Sequence, residues 1–291
     1  MAYTTINKPT DHFNTLTFTG TGSSGTRTGV GFTPDMFWHK NRGSNQSYGI
    51  IDVIRGNGNY INPNLTSAEN NDVGAYGIAT DGYTFPNGDS FFNNGEMVYW
   101  NWKASNSTTN DTTSGYLANT QSVNETAGFT ILKYTGSATN TGTITGLSDP
   151  LDVSITKRLD DTGDWIFWHR YNTGTEGRNY LKLNTTDASQ NSSTIFQNIA
   201  PSMDGTKSYQ AMGTSSPINV SGAEYISYGF SSRKGFSKFG SYTGNGNSDG
   251  PFIFTGFKPA FVLQKNASAT QGWKLQDNKR EGYNGDNDLL Q

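Results

Sequence analysis

Gly31-Phe32-Thr33-Pro34-Asp35-Met36-Phe37-Trp38-His39-Lys40 returns near the far end of the chain as Gly256-Phe257-Lys258-Pro259-Ala260-Phe261-Val262-Leu263-Gln264-Lys265. With the two lysines as anchors, a Gly-Phe pair and then a proline precede each at equal distances. An aromatic residue follows each (Tyr48, Trp273), then an aspartate (Asp52, Asp277) and an arginine (Arg55, Arg280), again at equal distances. Six coincidences at fixed offsets mark an internal repeat, the first feature to seek in a chain of this length. A diverged third copy lies between them: Gly146-Leu147, Pro150, Lys157 and Trp165 keep the apolar frame. His169 and Asn172 stand there in place of the aspartate and arginine.

The residues before each lysine alternate. Met36 and Trp38, Val153 and Ile155, Phe261 and Leu263 fall on one face of a strand, with Ser154 and Thr156 on the other face of the middle copy. Later strands correspond as well: Val98, Trp100 and Trp102 match Ile226, Tyr228 and Phe230, and the loop Asn64-Leu65-Thr66-Ser67-Ala68 matches Asn184-Thr185-Thr186-Asp187-Ala188. Trp38, Trp100, Trp102, Trp165, Tyr228 and Phe230 are the expected core aromatics. Tyr99 and Tyr225 have the opposite parity and are expected to be exposed.

Composition agrees with strands. Gly, Thr, Asn and Ser make up 131 of the 291 residues, and 38 more are aromatic. Threonine and aromatics suit pleated surfaces, and Gly, Asn and Ser suit the turns between them. The expected fold is all-β: tandem β-sandwich modules, lectin-like or jelly-roll-like, the third incomplete. The expected organisation is an N-terminal anchoring arm (1–13), a first sandwich (14–104), a Ser/Thr/Asn-rich linker (105–127), a second sandwich (128–234) and a partial third (235–291).

The same numbers exclude several functions. The net charge is −3, there is no cysteine, and only His12, His39 and His169 are present. Thiolate zinc sites and disulfide scaffolds are ruled out, and a near-neutral chain without basic runs argues against nucleic acid. No apolar stretch is long enough to span a membrane as a helix. The glutamates are scattered and do not recur at matched positions, as a glycosidase pair would require, and no Gly-x-Ser-x-Gly elbow is present. We therefore expect no enzyme, no catalytic residue, no metal and no cofactor. Lys40, Asp52 and Arg55, with Lys265, Asp277 and Arg280, read as structural ion pairs where strands meet. The arm carries Tyr3, Ile6 and Phe13 without neighbours in sequence to bury them, so it is expected to dock on another protein. The third copy stops at the point matching Tyr60-Ile61-Asn62, about 40 residues before the first copy ends, and is expected to be completed by further residues or by another chain.

Met1-Ala2-Tyr3-Thr4-Thr5-Ile6, Phe18-Thr19-Gly20-Thr21-Gly22, the Gly31–Arg42 stretch, Asp52-Val53-Ile54-Arg55-Gly56 and Val98-Tyr99-Trp100-Asn101-Trp102-Lys103-Ala104 together resemble modular virion structural proteins of tailed bacteriophages, especially marine podovirus-like phages. The resemblance covers most of residues 1–104 and weakens in the later copies. It implies a β-sandwich used on the phage particle, in the tail or fibre, made in the host cytoplasm, with no catalytic residues. The implied partners are other virion proteins and further copies of the chain. A carbohydrate-binding adhesin recognising a host-surface glycan, or a head-decorating protein, is the alternative.

Overall fold

The computed structural model describes residues 4–72, 76–172, 177–196 and 202–280. The chain is all-β. In the first module β1 (Phe13–Thr21), β2 (Gly25–Thr28), β3 (Met36–Asn41), β4 (Gly49–Asp52), β5 (Asn59–Tyr60), β6 (Asn70–Asn71), β7 (Gly77–Ala79), β8 (Gly82–Phe85) and β9 (Asn94–Trp102) follow one another. They pair antiparallel into one layer of order β1-β9-β3-β4 and a second of order β2-β8-β7. Val30, Phe32, Phe37, Ile51, Tyr83, Phe92, Met97 and Tyr99 fill the space between the layers.

The second module contains β10 (Thr109–Asp111), β11 (Asn119–Asn124), β12 (Phe129–Thr135), β13 (Thr141–Ile144), β14 (Val153–Arg158), β15 (Ile166–His169), β16 (Asn179–Lys182), β17 (Gln190–Asn191), β18 (Ser202–Asp204), β19 (Lys207–Met212) and β20 (Glu224–Phe230). Its main layer runs β10-β11-β12-β20-β14-β15-β16-β17 and its second layer β13-β19-β18. The stretch β12-β20-β14-β15 repeats β1-β9-β3-β4 strand for strand. Registers agree too: Trp38 stands opposite Trp100 and Ile155 opposite Tyr228. Residues 105–127 are thus not a bare linker. Gln121 pairs with Thr109 and Ser122 with Ile131, so β10 and β11 widen the second module's sheet. Their Ser/Thr/Asn composition suits an edge strand as well as a coil.

The third copy contributes the hairpin β21 (Phe261–Gln264) and β22 (Lys274–Asp277). It is not left to cover its own apolar face. Met36, Trp38, Val98 and Trp100 of the first module, Val153, Ile155, Trp165, Phe167, Ile226 and Tyr228 of the second, and Leu275 of the third form one buried cluster, with Phe261, Leu263 and Trp273 packed against it. The period-two face read from sequence therefore points away from each module's own sandwich and into a core common to all three. The opposite face fills the sandwich. Both faces of each main sheet are covered, and this overturns the expectation for Tyr99 and Tyr225: both are fully buried. Trp38, Trp100, Trp165 and Tyr228 are buried as expected, whereas Trp102 and Phe230 lie partly buried at the margin of the shared core.

The arm also differs from expectation. Ile6 is buried, and Pro9–Asp11 form a short 3-10 turn. Phe13 opens β1 and packs on Trp102 and Phe261, with ring centroids 4.9 and 5.7 Å apart. The Lys103 N–H donates to the His12 carbonyl (2.9 Å), and the Asn124 amide meets His12 Nδ1 at 3.0 Å. The neighbours missing in sequence are supplied in space by the same chain, so the arm is no free anchor. Tyr3 lies outside the described residues.

Candidate functional site

The recurring polar residues meet where the modules touch. Asp52 ends β4. Its Oδ1 accepts the N–H groups of Ile54 and Arg55, both at 3.0 Å. Its Oδ2 accepts Arg55 Nε at 2.6 Å and the Tyr228 hydroxyl, from the second module, at 2.6 Å. Arg55 also donates to the Ile50 and Asn59 carbonyls (3.0 and 3.3 Å) and to Glu69 Oε1 at 3.1 Å. Both side chains of the Asp52–Arg55 pair are fully shielded from solvent. Burial by itself would lower the Arg55 pKa, but Asp52, Tyr228 and Glu69 outweigh it and raise it further above its ordinary value.

The third copy repeats the unit. Asp277 Oδ1 accepts Lys279 and Arg280 N–H, and Oδ2 accepts Arg280 Nε at 2.6 Å. Here the outside donor is Trp100 Nε1 of the first module, at 3.1 Å. Burial pushes the Asp277 carboxyl up, but these N–H donors and the Arg280 charge hold it below the usual carboxylate value. In the second module, His169 Nδ1 takes the place of the aspartate Oδ1 and accepts the Tyr171 N–H at 3.1 Å.

The lysines do not pair with these aspartates, contrary to expectation. Lys40 Nζ donates to the Ser44 carbonyl (3.1 Å) and to that of Gln46. Lys157 Nζ donates to Thr66 O of the first module (3.3 Å), and Lys265 Nζ to Thr186 O of the second (3.3 Å). The physical reason is position. A lysine at the end of a strand faces a fringe of backbone carbonyls, while the aspartate two strand-ends away is already saturated by its own turn and arginine. Thr66 O and Thr186 O each receive a second donor, the N–H of Gly163 and of Gln271, both close after the corresponding lysine. Trp165 Nε1 likewise donates to Asn62 O, and Trp273 Nε1 to Lys182 O, each at 2.9 Å. The second module thus grips the first, the third grips the second, and the first reaches the third through Trp100.

Sequence reasoning missed three parts of this junction. Asp35 and Asp152 stand at the same distance before their lysines, and each receives the N–H that follows the main sheet's long strand: Ala104 to Asp35 and Ser232 to Asp152, both 2.7 Å. The fixed offset was a usable signal. The Asn64–Ala68 loop motif recurs in the sequence, but the carbonyl it offers to the next module belongs to the backbone and has no side-chain signal. Glu69 carries no sequence signal.

Chemically the junction is closed. The carboxylate oxygens of Asp52 are occupied by four donors, which leaves none to take a substrate proton. His39 is fully buried among Phe37, Phe91, Phe92 and Tyr99, and burial, with Lys40 adding to it, lowers it to about 3. Among the described residues, no group of three or more His, Asp or Glu is placed to hold a metal, and no helix is long and apolar enough to cross a membrane. A cavity of about 60 Å³ between Trp38, Tyr48, Leu183, Leu263, Trp273 and Leu275 has room for a few waters. A more open groove of about 370 Å³ on the second module is lined by Asp111, Gln121, Glu125 and Ser148, among others.

A profile described as a domain of unknown function, DUF7483, matches residues 8–291. The chain belongs to the DUF7483 family. Neither the curated proteins nor the solved structures give a match. The DUF7483 match runs through all three copies as one unit, in keeping with a core to which all three contribute.

Proposed function

We propose that this DUF7483 chain is a non-enzymatic structural protein of a tailed-bacteriophage virion, a tail or fibre component that acts by assembly with other virion proteins and with copies of itself. The observation that carries this reading is the use made of the recurring polar residues. Asp52, Arg55, Tyr228, Lys157 and Lys265 hold module to module through hydrogen bonds, as Asp277 does through Trp100, and Arg280 lies over the Trp100 ring. Such a layout suits a rigid building block, and the sequence resemblance noted above supplies the setting. Zero cysteines fit folding in a reducing bacterial cytoplasm. The test is direct. Purified particles should contain the protein by mass spectrometry, and labelled antibody should decorate the tail or fibres. Decoration of the capsid would move it to the head, and absence from particles would refute the reading.

One observation favours a second reading, a carbohydrate-binding adhesin. In the groove on the second module, Gln121 Oε1 is buried without a hydrogen-bond partner beside Asp111 and Glu125, an arrangement of acceptors suited to sugar hydroxyls. Retention on a glycan array, lost in Gln121→Ala, would support it. Failure to bind any glycan would remove it.

A further inference from the structure

The second module carries two strands that the first does not. In the first module β1 is the outer strand of the main sheet, whereas β11 and β10 continue beyond β12, the strand that matches it. Residues directly opposite in an antiparallel pair share a face. Tyr134, in the core of the second sandwich, stands opposite Asn119, and Asn119 opposite Asp111. Gln121, two residues from Asn119, lies on the same face. The added strands thus extend the sandwich-facing side of the sheet past its core and form one wall of the groove of about 370 Å³, a size in the range of small-molecule sites.

Asn119 fixes that wall, since its Nδ2 donates to Thr143 Oγ1 (2.8 Å) and to Ile144 O (2.9 Å) of β13. Gln121 is 8% exposed, yet its Oε1 has no donor. A buried acceptor left in this state opposes folding, and a ligand that donates to it removes the cost. Gly146 keeps a side chain off this oxygen. Its φ is +76°, and a Cβ there would lie 2.8 Å from Gln121 Oε1.

Charge narrows the choice of ligand. Asp111 and Glu125 line the groove, and no lysine, arginine or histidine is among the lining residues. Arg233 approaches Glu125 to 3.1 Å but also holds Asp149 at 2.8 Å, so one cation is divided between two carboxylates. The Ser148 N–H and hydroxyl are both spent on Glu125. What remains is a negative site with acceptors to offer, which disfavours an acidic sugar and favours a cationic donor, whose hydrogen bonds to carboxylates are the strong ones. Ile144 and Leu147 give the groove an apolar side, and no aromatic ring lines it.

We propose that this groove binds an amino sugar, a saccharide with a free protonated amine, whose ammonium and hydroxyl groups donate to Gln121 Oε1 and the Asp111 carboxylate. This deepens the adhesin reading above, on which it rests, by naming the class of sugar.

The test uses the whole chain and calorimetric titration with short oligomers of glucosamine, N-acetylglucosamine and glucuronic acid at about pH 6, where an aliphatic amine is protonated. The glucosamine oligomer should bind about fivefold more tightly than its N-acetylated counterpart, the difference between a charge-assisted and a neutral hydrogen bond. The uronate should not bind, and added salt should weaken the glucosamine complex. Gln121→Met keeps the side chain's length and removes the unpaired amide. It should leave the thermal midpoint unchanged or raised while weakening glucosamine binding about fivefold; a glutamine with a merely structural role would leave binding unmoved. Equal binding of the two aminoglycan oligomers, unmoved binding in a folded Gln121→Met, or displacement by spermidine as effective as by the sugar would overturn the proposal. If Gln121→Met does not fold, Asp111→Asn decides: it should weaken binding of the glucosamine oligomer and leave that of the N-acetylated one, and equal effects on both would overturn the proposal. Binding of neutral glycans without preference for the amine refutes this proposal and leaves the adhesin reading standing, whereas no binding of any glycan refutes both.

Discussion

Replacing Asp52 with asparagine isolates the latch between the first two modules. The Oδ1 contacts to the Ile54 and Arg55 N–H groups survive the change. The Oδ2 position becomes an NH₂ that faces Arg55 Nε, also a donor, where the carboxylate now makes a 2.6 Å ion pair. Arg55 then keeps Glu69 as its one carboxylate partner, across 3.1 Å. Breaking one side of a buried ion pair costs about 3–5 kcal/mol, and Asp52→Asn should fall in that range in urea unfolding, with an unchanged m-value. The triple variant Asp52→Leu, Arg55→Met, Tyr228→Phe removes the three fully buried polar members of the latch together and should recover much of the loss, because the one charge left without its partner, Glu69, is partly exposed. A cost for Asp52→Asn below about 1 kcal/mol, the scale of an exposed pair, would refute the claim that the latch is buried and shared between modules.

Trp100→Ala should cost about 3–5 kcal/mol in the same assay, the usual range for a large buried aromatic, and should also expose Asp277 by removing its indole donor. Ile6→Ala should cost about 2–5 kcal/mol if the arm packs on its own chain; an unchanged thermal midpoint would mean that it does not. Burial, with Arg158 adding to it, lowers the Lys157 ammonium to about 8, while an unfolded lysine titrates near 10.4. Between about pH 8 and pH 10 the unfolded chain therefore binds more protons, so stability should rise with pH, by at most about 1.4 kcal/mol per pH unit. Lys157→Met should flatten that rise in pH-dependent denaturant melts.

The repeat, the strand class and the face carried by Met36, Trp38, Val153 and Ile155 were legible in the sequence because side-chain parity in a strand is a local property. What that face packs against was not. Parity says that Tyr99 and Trp100 point to opposite sides of one sheet; it cannot say that both sides are covered. The Asp52–Arg55 pair could be read because its three-residue spacing confines both groups to one turn. The partner of Lys157 is a backbone carbonyl, Thr66 O, far away in sequence, and carbonyls carry no letter. The same holds for Phe13, whose neighbours Trp102 and Phe261 both lie far from it in sequence.

The grip of each module on the one before it has a consequence for copy number. A head-to-tail contact repeated along a chain either advances indefinitely, as in a solenoid, or comes back on itself. Here the third copy touches both the second, through Lys265 and Trp273, and the first, through Asp277 and Trp100. The contact closes into a ring of three. A fourth copy docked on the third in the same way would compete with the first for the face that Trp100 and Asp277 share.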